Sequence, residues 1–270
     1  MSLVVTDAVV LHAFDYLESS RVLRLATREH GVQSVLAKGA RRSQKRFGGA
    51  VDLFAEGQAQ YYAKAGRDLH TLASMDITRA RFGLAADLER FAAGAALSEL
   101  VLRFARDESQ PAWYDTLVQA LDALAAAPPT EARAAGIAGA WRVVAALGFS
   151  PAVDHCASCH DPIPDDRASR FSHPAGGALC DRCGRMAGVG RVLPAEARAA
   201  LRGWLSEDHA AIPPAVVDAA SARAHQRLLR EFLREHLVDE RPLRAFESWE
   251  STRYDVREAP AVAAPGEPAA

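Results

Sequence analysis

The sequence predicts an α+β protein of several domains: a small N-terminal β-barrel, a helical body behind it, and a cysteine-bearing module inserted into that body. Three observations carry this prediction. Period-two alternation with β-branched residues runs through roughly the first 80 positions. An apolar period near 3.6 takes over from Leu84. Two Cys-x-x-Cys pairs then interrupt the helical stretch between about 150 and 192. The expected division is a barrel over 1–80, helical domain over 81–150, four-cysteine module over 151–192, and helical domain again over 193–245. A C-terminal tail follows over 246–270, and its Pro- and Ala-rich end after Glu258 reads as disordered.

Val4, Asp7 and Val9 to Phe14 form the first alternating run, and Arg21 to Thr27 the second. Glu29-His30-Gly31 supplies a turn, with Gly31 suited to positive φ, and Val32 to Ala37 follows as a third strand. Val51 to Tyr62 reads as a long fourth strand, Lys64 to Asp68 as a turn, and Leu69 to Met75 as a fifth strand. Five strands in close succession without intervening helices suggest a small closed barrel. The OB-fold is the natural five-stranded candidate, and periodicity alone leaves an SH3-like barrel open.

From Leu84 through Leu88, Phe91, Leu97, Leu100 and Phe104 the apolar residues fall on one helical face. Trp113, Leu117, Leu121 and Leu124 mark a second helix, stopped by Pro128-Pro129. Ile137, Trp141, Val144 and Leu147 mark a third, ended by Gly148. Pro194 opens a short helix through Leu205, and Val216 to Val238 reads as a last long one. These stripes are most simply core.

No apolar run approaches the ~20 residues that a membrane-spanning helix needs. Met1 to Asp7 lack the charged start and cleavage pattern of a signal peptide, so a cytoplasmic location is expected. In that compartment four cysteines are not a disulfide framework. The net charge of −2 hides an uneven distribution.

Cys156-Ala157-Ser158-Cys159 and Cys180-Asp181-Arg182-Cys183 are two pairs separated by twenty residues. Two residues between thiolates let both sulfurs of a pair turn toward one point, and two such knuckles complete a tetrahedron around zinc. The intervening stretch is rich in Pro, Asp, Gly and Ser, so a metal would supply the stability that its sparse apolar content cannot. One structural zinc on Cys156, Cys159, Cys180 and Cys183 is the expectation. A redox dithiol needs only one pair in a thioredoxin-like setting, and iron–sulfur clusters use other spacings. Four thiolates leave no open position for catalytic water, and a zinc deaminase needs an H-x-E element that the chain lacks. His155, His160 and His173 lie nearby and read as bystanders.

Lys38, Arg41, Arg42, Lys45 and Arg46 form a basic run without an acid between strands three and four. Arg and Lys there would replace counterions on phosphates, while Gly39, Gly48 and Gly49 let backbone approach a polyanion. Arg21, Arg24 and Arg28 lie on or beside the second strand, and Lys64 and Arg67 on the next turn, so several could share one groove. Phe47, Tyr61 and Tyr62 are candidate stacking platforms, although adjacent tyrosines in a strand face opposite sides. A solvated basic loop is the plainer reading of the same charges.

Asp15-Tyr16-Leu17-Glu18-Ser19-Ser20, Leu25-Ala26-Thr27-Arg28-Glu29-His30-Gly31 and Ala37-Lys38-Gly39-Ala40-Arg41-Arg42 resemble segments of the RecO family of recombination mediators. The order of modules fits too, and the resemblance covers roughly residues 3 to 240. Some members lack the cysteine pairs. The resemblance implies an N-terminal OB-fold, binding of single- and double-stranded DNA, and annealing of complementary strands. It further implies cooperation with RecR in replacing single-strand binding protein by RecA. The family's basic DNA-facing loop corresponds to Lys38, Arg41, Arg42, Lys45 and Arg46, and the protein would associate with the nucleoid when bound to DNA.

No P-loop, GxSxG elbow or HExxH helix is present, so no reaction chemistry is expected and the chain reads as a non-enzyme. Two alternatives stand beside the mediator: a zinc-ribbon RNA- or ribosome-binding protein using the same barrel, and a hydrolase or transferase with dispersed catalytic residues. Preference for structured RNA would mark the first, and metal-dependent turnover the second.

Overall fold

The opening alternation becomes one long strand, β1 (Ser2–Tyr16), whose two halves serve different neighbours. Residues 2–9 pair with β4 (Glu56–Ala63), and 8–16 pair with β2 (Ser20–Thr27), with a register shift between Val10 and His12 where the strand bends. β3 (Gly31–Ala37) returns antiparallel along β2. β5 (Leu69–Arg79) lies antiparallel to β4 and joins β3 in parallel, Ser34 opposite Leu69. The resulting closed order β1-β2-β3-β5-β4 is an OB-fold, which removes every open sheet edge. The computed structural model describes residues 2–40, 52–85, 87–105, 111–188, 190–206, 218–236 and 241–252.

Inward positions of the five strands fill the barrel with Val10, Leu23, Leu25, Val35, Tyr61, Leu72 and Met75. Val9, Leu11 and Ala26 face the other way and join the helical core instead. The fourth strand starts later than the alternation predicts. Phe54 adopts φ +67 and its ring leaves the barrel to enter the helices, edge-on to Phe91 at 5.8 Å. Positive φ costs a non-glycine residue ~1–2 kcal/mol, and full burial of the ring returns ~2–3 kcal/mol, so burial prevails. Gly94 makes room, since a Cβ there would sit 3.0 Å from the Phe54 ring.

The helical body begins with α1 (Phe82–Ala85) and α2 (Leu88–Phe104). The apolar period suggests one continuous helix, but Asp87 starts a new one by accepting the Arg90 amide at 2.9 Å. α3 (Pro111–Ala126) and α4 (Ala132–Ala146) pack on α2 through Ala93, Ala96, Leu97, Leu117, Ala140 and Trp141. At the end of α4 the Gly148 amide reaches Ala145 O at 2.9 Å and the Phe149 amide reaches Val144 O at 3.0 Å. With Gly148 at φ +96 this is a Schellman ending, as expected of that glycine.

Residues 151–193 hold a three-stranded antiparallel sheet, β7-β6-β8, of β6 (Ser169–Ser172), β7 (Gly177–Leu179) and β8 (Arg191–Leu193), with α5 (Asp181–Ala187) between the last two. Strands of three and four residues leave no period to read in sequence. α6 (Ala195–Leu205) and α7 (Ala219–His236) return to the body, where Phe232 packs on Trp141 at 5.5 Å. α8 (Arg244–Ser251) corrects the expectation of a tail from 246. Its Trp249 sits over Gly136, where a Cβ would come within 2.8 Å of the ring, and donates to the buried Glu89 at 2.8 Å. Glu89 also takes both arms of Arg133, at 2.9 and 2.6 Å.

Barrel and helices meet along a polar seam. The Arg81 side chain is 2% exposed and pairs with Glu56 at 2.6 Å and Asp122 at 2.7 Å, while donating to Phe54 O at 2.9 Å. Arg28 pairs with Asp7 at 3.3 Å and with Asp115, and lies over the Tyr114 ring. Its charge is therefore held inside the protein, against the expectation that it joins a DNA-facing groove.

His225 of α7 is buried against Trp204 of α6, rings 4.6 Å apart, and its Nδ1 has no partner among the described residues. Burial pushes its pKa down to about 4. An unfolded histidine protonates near ~6.5, so the unfolded state binds more protons between there and 4. Stability from this group is therefore intact above pH 6.5 and falls by about 1.4 kcal/mol per unit below it. Urea unfolding at pH 7 and 5.5 is expected to show a loss about 1 kcal/mol smaller in His225→Leu than in wild type.

Candidate metal centre and nucleic-acid interface

The first cysteine pair sits in a tight knuckle before β6. The Cys156 amide donates to Asp161 O at 2.8 Å, the His160 amide to Cys156 O at 2.9 Å, and His160 takes φ +63 to close the turn. The second pair straddles the start of α5: Cys180 is the residue before the helix and Cys183 lies within its first turn. The knuckles are brought together by backbone pairing. Ala157 N donates to Ala178 O and Ala178 N to Ala152 O, both at 2.8 Å. Gly177 permits this crossing, since a Cβ would stand 2.3 Å from Ala152 O. Only Cys156, Ile163, Ala178 and Leu179 form the small apolar centre beneath the sulfurs.

All four sulfurs lie within 4.8 Å of one another, and Cys159 and Cys180 stand at 3.7 Å. Four thiolates on arms of ~2.3 Å around one ion would be about 3.8 Å apart, so the group could hold a metal ion. Burial works against ionisation of Cys156, but backbone amides of Cys159, Cys180 and Ser158 aim at its sulfur and bring its pKa down to about 6. Cys159 moves the other way, up to about 12. The Asp161 amide favours its thiolate, yet burial and the sulfurs of Cys156 and Cys180 outweigh that help. Four sulfurs this close cannot all ionise without a cation among them. Arg182 lies across the outer side, its guanidinium held charged by Cys159 and Cys183. His155 and His160 are exposed, and His173 packs against Phe171 and Glu231, so none belongs to the cluster.

Arg198 fixes this module to the body. It is fully buried in α6 and donates to the carbonyls of Val153 at 3.2 Å, Ile163 at 3.3 Å, Arg167 at 3.4 Å and Pro164. Neighbouring Arg202 pairs with Asp154 and with Asp165 at 2.8 Å. Nothing in the sequence separates Arg198 from the other arginines of a charged helix.

On the barrel, Lys38 is exposed just past the end of β3. Arg41, Arg42, Lys45, Arg46 and Phe47 lie outside the described residues. Arg21 and Arg24 both belong to β2, where Arg21 pairs with Asp15 at 3.1 Å and Asp52 at 3.9 Å on the surface. Such exposed pairs are worth ~0–1 kcal/mol and exchange readily for a phosphate. Arg24 has no carboxylate partner among the described residues, and its Nε is buried without a hydrogen bond. Lys64 and Arg67 stand in the β4–β5 turn, likewise without a described carboxylate partner.

Tyr61 is 2% exposed inside the barrel, stacked on His70 at 5.5 Å, which removes it as a stacking platform. Tyr62 faces out at 41% exposure, as period two requires. Sequence reading missed Phe14 and Tyr16, which point outward from β1 at 46% and 43% exposure. Their alternation with His12 was the available signal. These side chains border a groove of about 510 Å³ across the outer faces of β1 and β2, closed on one side by Leu69 and on another by Leu102 of α2. Oligonucleotides on OB-folds occupy this region, the face of strands 2 and 3 between the β1–β2 and β4–β5 loops.

Comparison with known proteins agrees with this architecture. Residues 1–81 match the family model described as Recombination protein O N terminal, and 85–245 the one described as Recombination protein O C terminal. The chain is 38% identical over 241 residues to DNA repair protein RecO of Anaeromyxobacter dehalogenans (strain 2CP-C), covering 88% of this chain and 92% of that one. RecO of Gloeobacter violaceus is 34% identical over 230 residues, 84% of this chain and 85% of its own. RecO of Myxococcus xanthus is 33% identical over 235 residues, 86% and 91% respectively.

Proposed function

Because the chain belongs to the RecO family of DNA repair and recombination proteins, we propose that it is a non-catalytic mediator that binds single- and double-stranded DNA and anneals complementary strands. The observation that carries this reading is the OB barrel itself. Its outer face presents Arg24 without a carboxylate partner, flanked by Lys38 on one loop and Lys64 and Arg67 on another. The mechanism is electrostatic. Cations on phosphates reduce repulsion between two strands, and backbone contacts leave base edges free to pair. Arg21, Arg24, Lys38, Arg41, Arg42, Lys45 and Arg46 are the proposed phosphate contacts.

Partners on the same reading are RecR, single-strand binding protein and, through them, RecA, with the protein acting in the cytoplasm at the nucleoid. No described helix is long and apolar enough to cross a membrane. The metal is one structural zinc, with Cys156, Cys159, Cys180 and Cys183 as ligands. When bound it cross-links the two knuckles and, with its coordination shell closed by sulfur, offers no site for chemistry. The domain boundaries proposed are barrel 1–80, helical 81–150 and 193–245, and zinc module 151–192.

Annealing of complementary oligonucleotides tests the reading, with wild type beside a variant carrying alanine at Lys38, Arg41, Arg42, Lys45 and Arg46. The expected result is annealing by wild type, lost in the folded variant. In equilibrium titrations on single strands, log affinity should fall against log salt by ~0.7 for each phosphate neutralised, with a shallower slope in the variant. Tight binding by wild type that ignores salt, or no annealing by a folded, zinc-loaded protein, would refute it.

A further inference from the structure

We infer that the groove between the barrel and α2 is a pocket for an unpaired nucleobase, so that the protein distinguishes single-stranded from paired DNA through base stacking as well as charge. The inference rests on the DNA-binding reading above and deepens it. His12, Phe14 and Tyr16 occupy alternate positions of β1 and face the same side, with His12 and Phe14 rings 5.9 Å apart. Half-exposed aromatics in one row are a poor choice for a strand that only meets water. They are the usual platform for bases, whose flat faces stack on them irrespective of sequence. At about 510 Å³ the groove falls within the range of pockets that hold small ligands.

Charge argues for a nucleotide as the occupant. Arg24 lines the groove with a buried Nε that has no hydrogen-bond partner and no carboxylate beside it among the described residues. Arg67 and Lys64 stand in the turn that leads into the groove wall at Leu69, placed for flanking phosphates. Ser34 and Asp68 add a hydroxyl and a carboxylate at the rim. A carboxylate repels phosphate and accepts from exocyclic amino or imino groups, which fits a base at that end and the backbone at the other. Leu102 supplies an apolar wall from the helical body. A base inside a duplex is already stacked on its neighbours and cannot enter without being unpaired.

The test compares affinity for an oligothymidylate with that for an abasic oligonucleotide of the same length and charge. Wild type is expected to prefer the oligothymidylate by roughly ten-fold, the worth of one stacked base. Phe14→Ala and Tyr16→Ala should each bring the ratio toward one while leaving the abasic affinity unchanged. Both side chains are half-exposed, so neither change opens a core cavity, and circular dichroism checks the fold. Arg24→Gln, which keeps bulk at the wall, should lower affinity for both oligonucleotides. A ratio of one in wild type overturns the inference while DNA binding stands. So does a ratio unchanged in both aromatic variants, which would leave the groove to a protein partner. Failure of wild type to bind either oligonucleotide at low salt would instead remove the DNA-binding reading itself.

Discussion

Cys156→Ser is expected to release the metal and lower stability by at least about 3 kcal/mol, while DNA affinity of the folded fraction stays at the wild-type level. Structural zinc contributes ~10–16 kcal/mol of binding free energy in small modules, and little else here could replace it. The apolar centre beneath the sulfurs comprises four residues, and Cys156 is itself one of them, with no exposed surface. A serine hydroxyl at that place is a poor zinc ligand and a buried polar group without a designed partner. Metal analysis should give one zinc per wild-type chain and a substoichiometric amount in the variant. Urea unfolding measures the loss, and the same oligonucleotide titration reads DNA affinity. Intact stability with lost DNA binding would contradict a purely structural zinc and move the module into the interface.

Arg198→Met should cost about 3–5 kcal/mol, a large share of the ~5–15 kcal/mol that holds an ordinary domain together. The guanidinium is fully buried and serves four backbone carbonyls, of Val153, Ile163, Pro164 and Arg167. Methionine fills much of the volume but donates nothing, leaving those acceptors dry and unpaired at ~1–3 kcal/mol each, partly relieved by local opening. Burial of the charge already opposes the native state, since it lowers the Arg198 pKa, and that relief keeps the estimate below a simple sum. Arg198→Lys should fail nearly as badly, because an ammonium cannot spread a planar fork across four oxygens. Chemical denaturation measures both. A variant within 1 kcal/mol of wild type would mean that water satisfies those carbonyls as well as arginine does.

What could be read in sequence followed the reach of local pattern. Strand alternation located all five barrel strands because each buries one face, and the cysteine spacing pointed to four sulfurs that the fold does bring together. The fourth strand was placed too early because Phe54 continues the apolar run while its ring enters another core. α8 went unseen because Phe246 and Trp249 give too few turns to establish a period, and only Gly136 on a distant helix explains the tryptophan. The groove was illegible for a related reason. It is assembled from β1, β2, β5 and α2, and outward aromatics on one strand look like core until the barrel closes. Arg28 and Arg198 looked like surface charge because their acceptors come from other parts of the chain.

The doubly paired first strand also sets an order of assembly. β1, β2 and β3 form a meander whose partners are close in sequence, so its loops close at small entropic cost. The other half of β1 must wait for β4, whose Ala63 pairs with Ser2, and the barrel closes only when β5 docks beside β3 in parallel. Long-range and parallel pairings are the slow ones. During synthesis from the N-terminus, the half-strand from Ser2 to Val9 therefore stays unpaired until about sixty further residues have been made, an exposed edge that a nascent chain must protect from its neighbours.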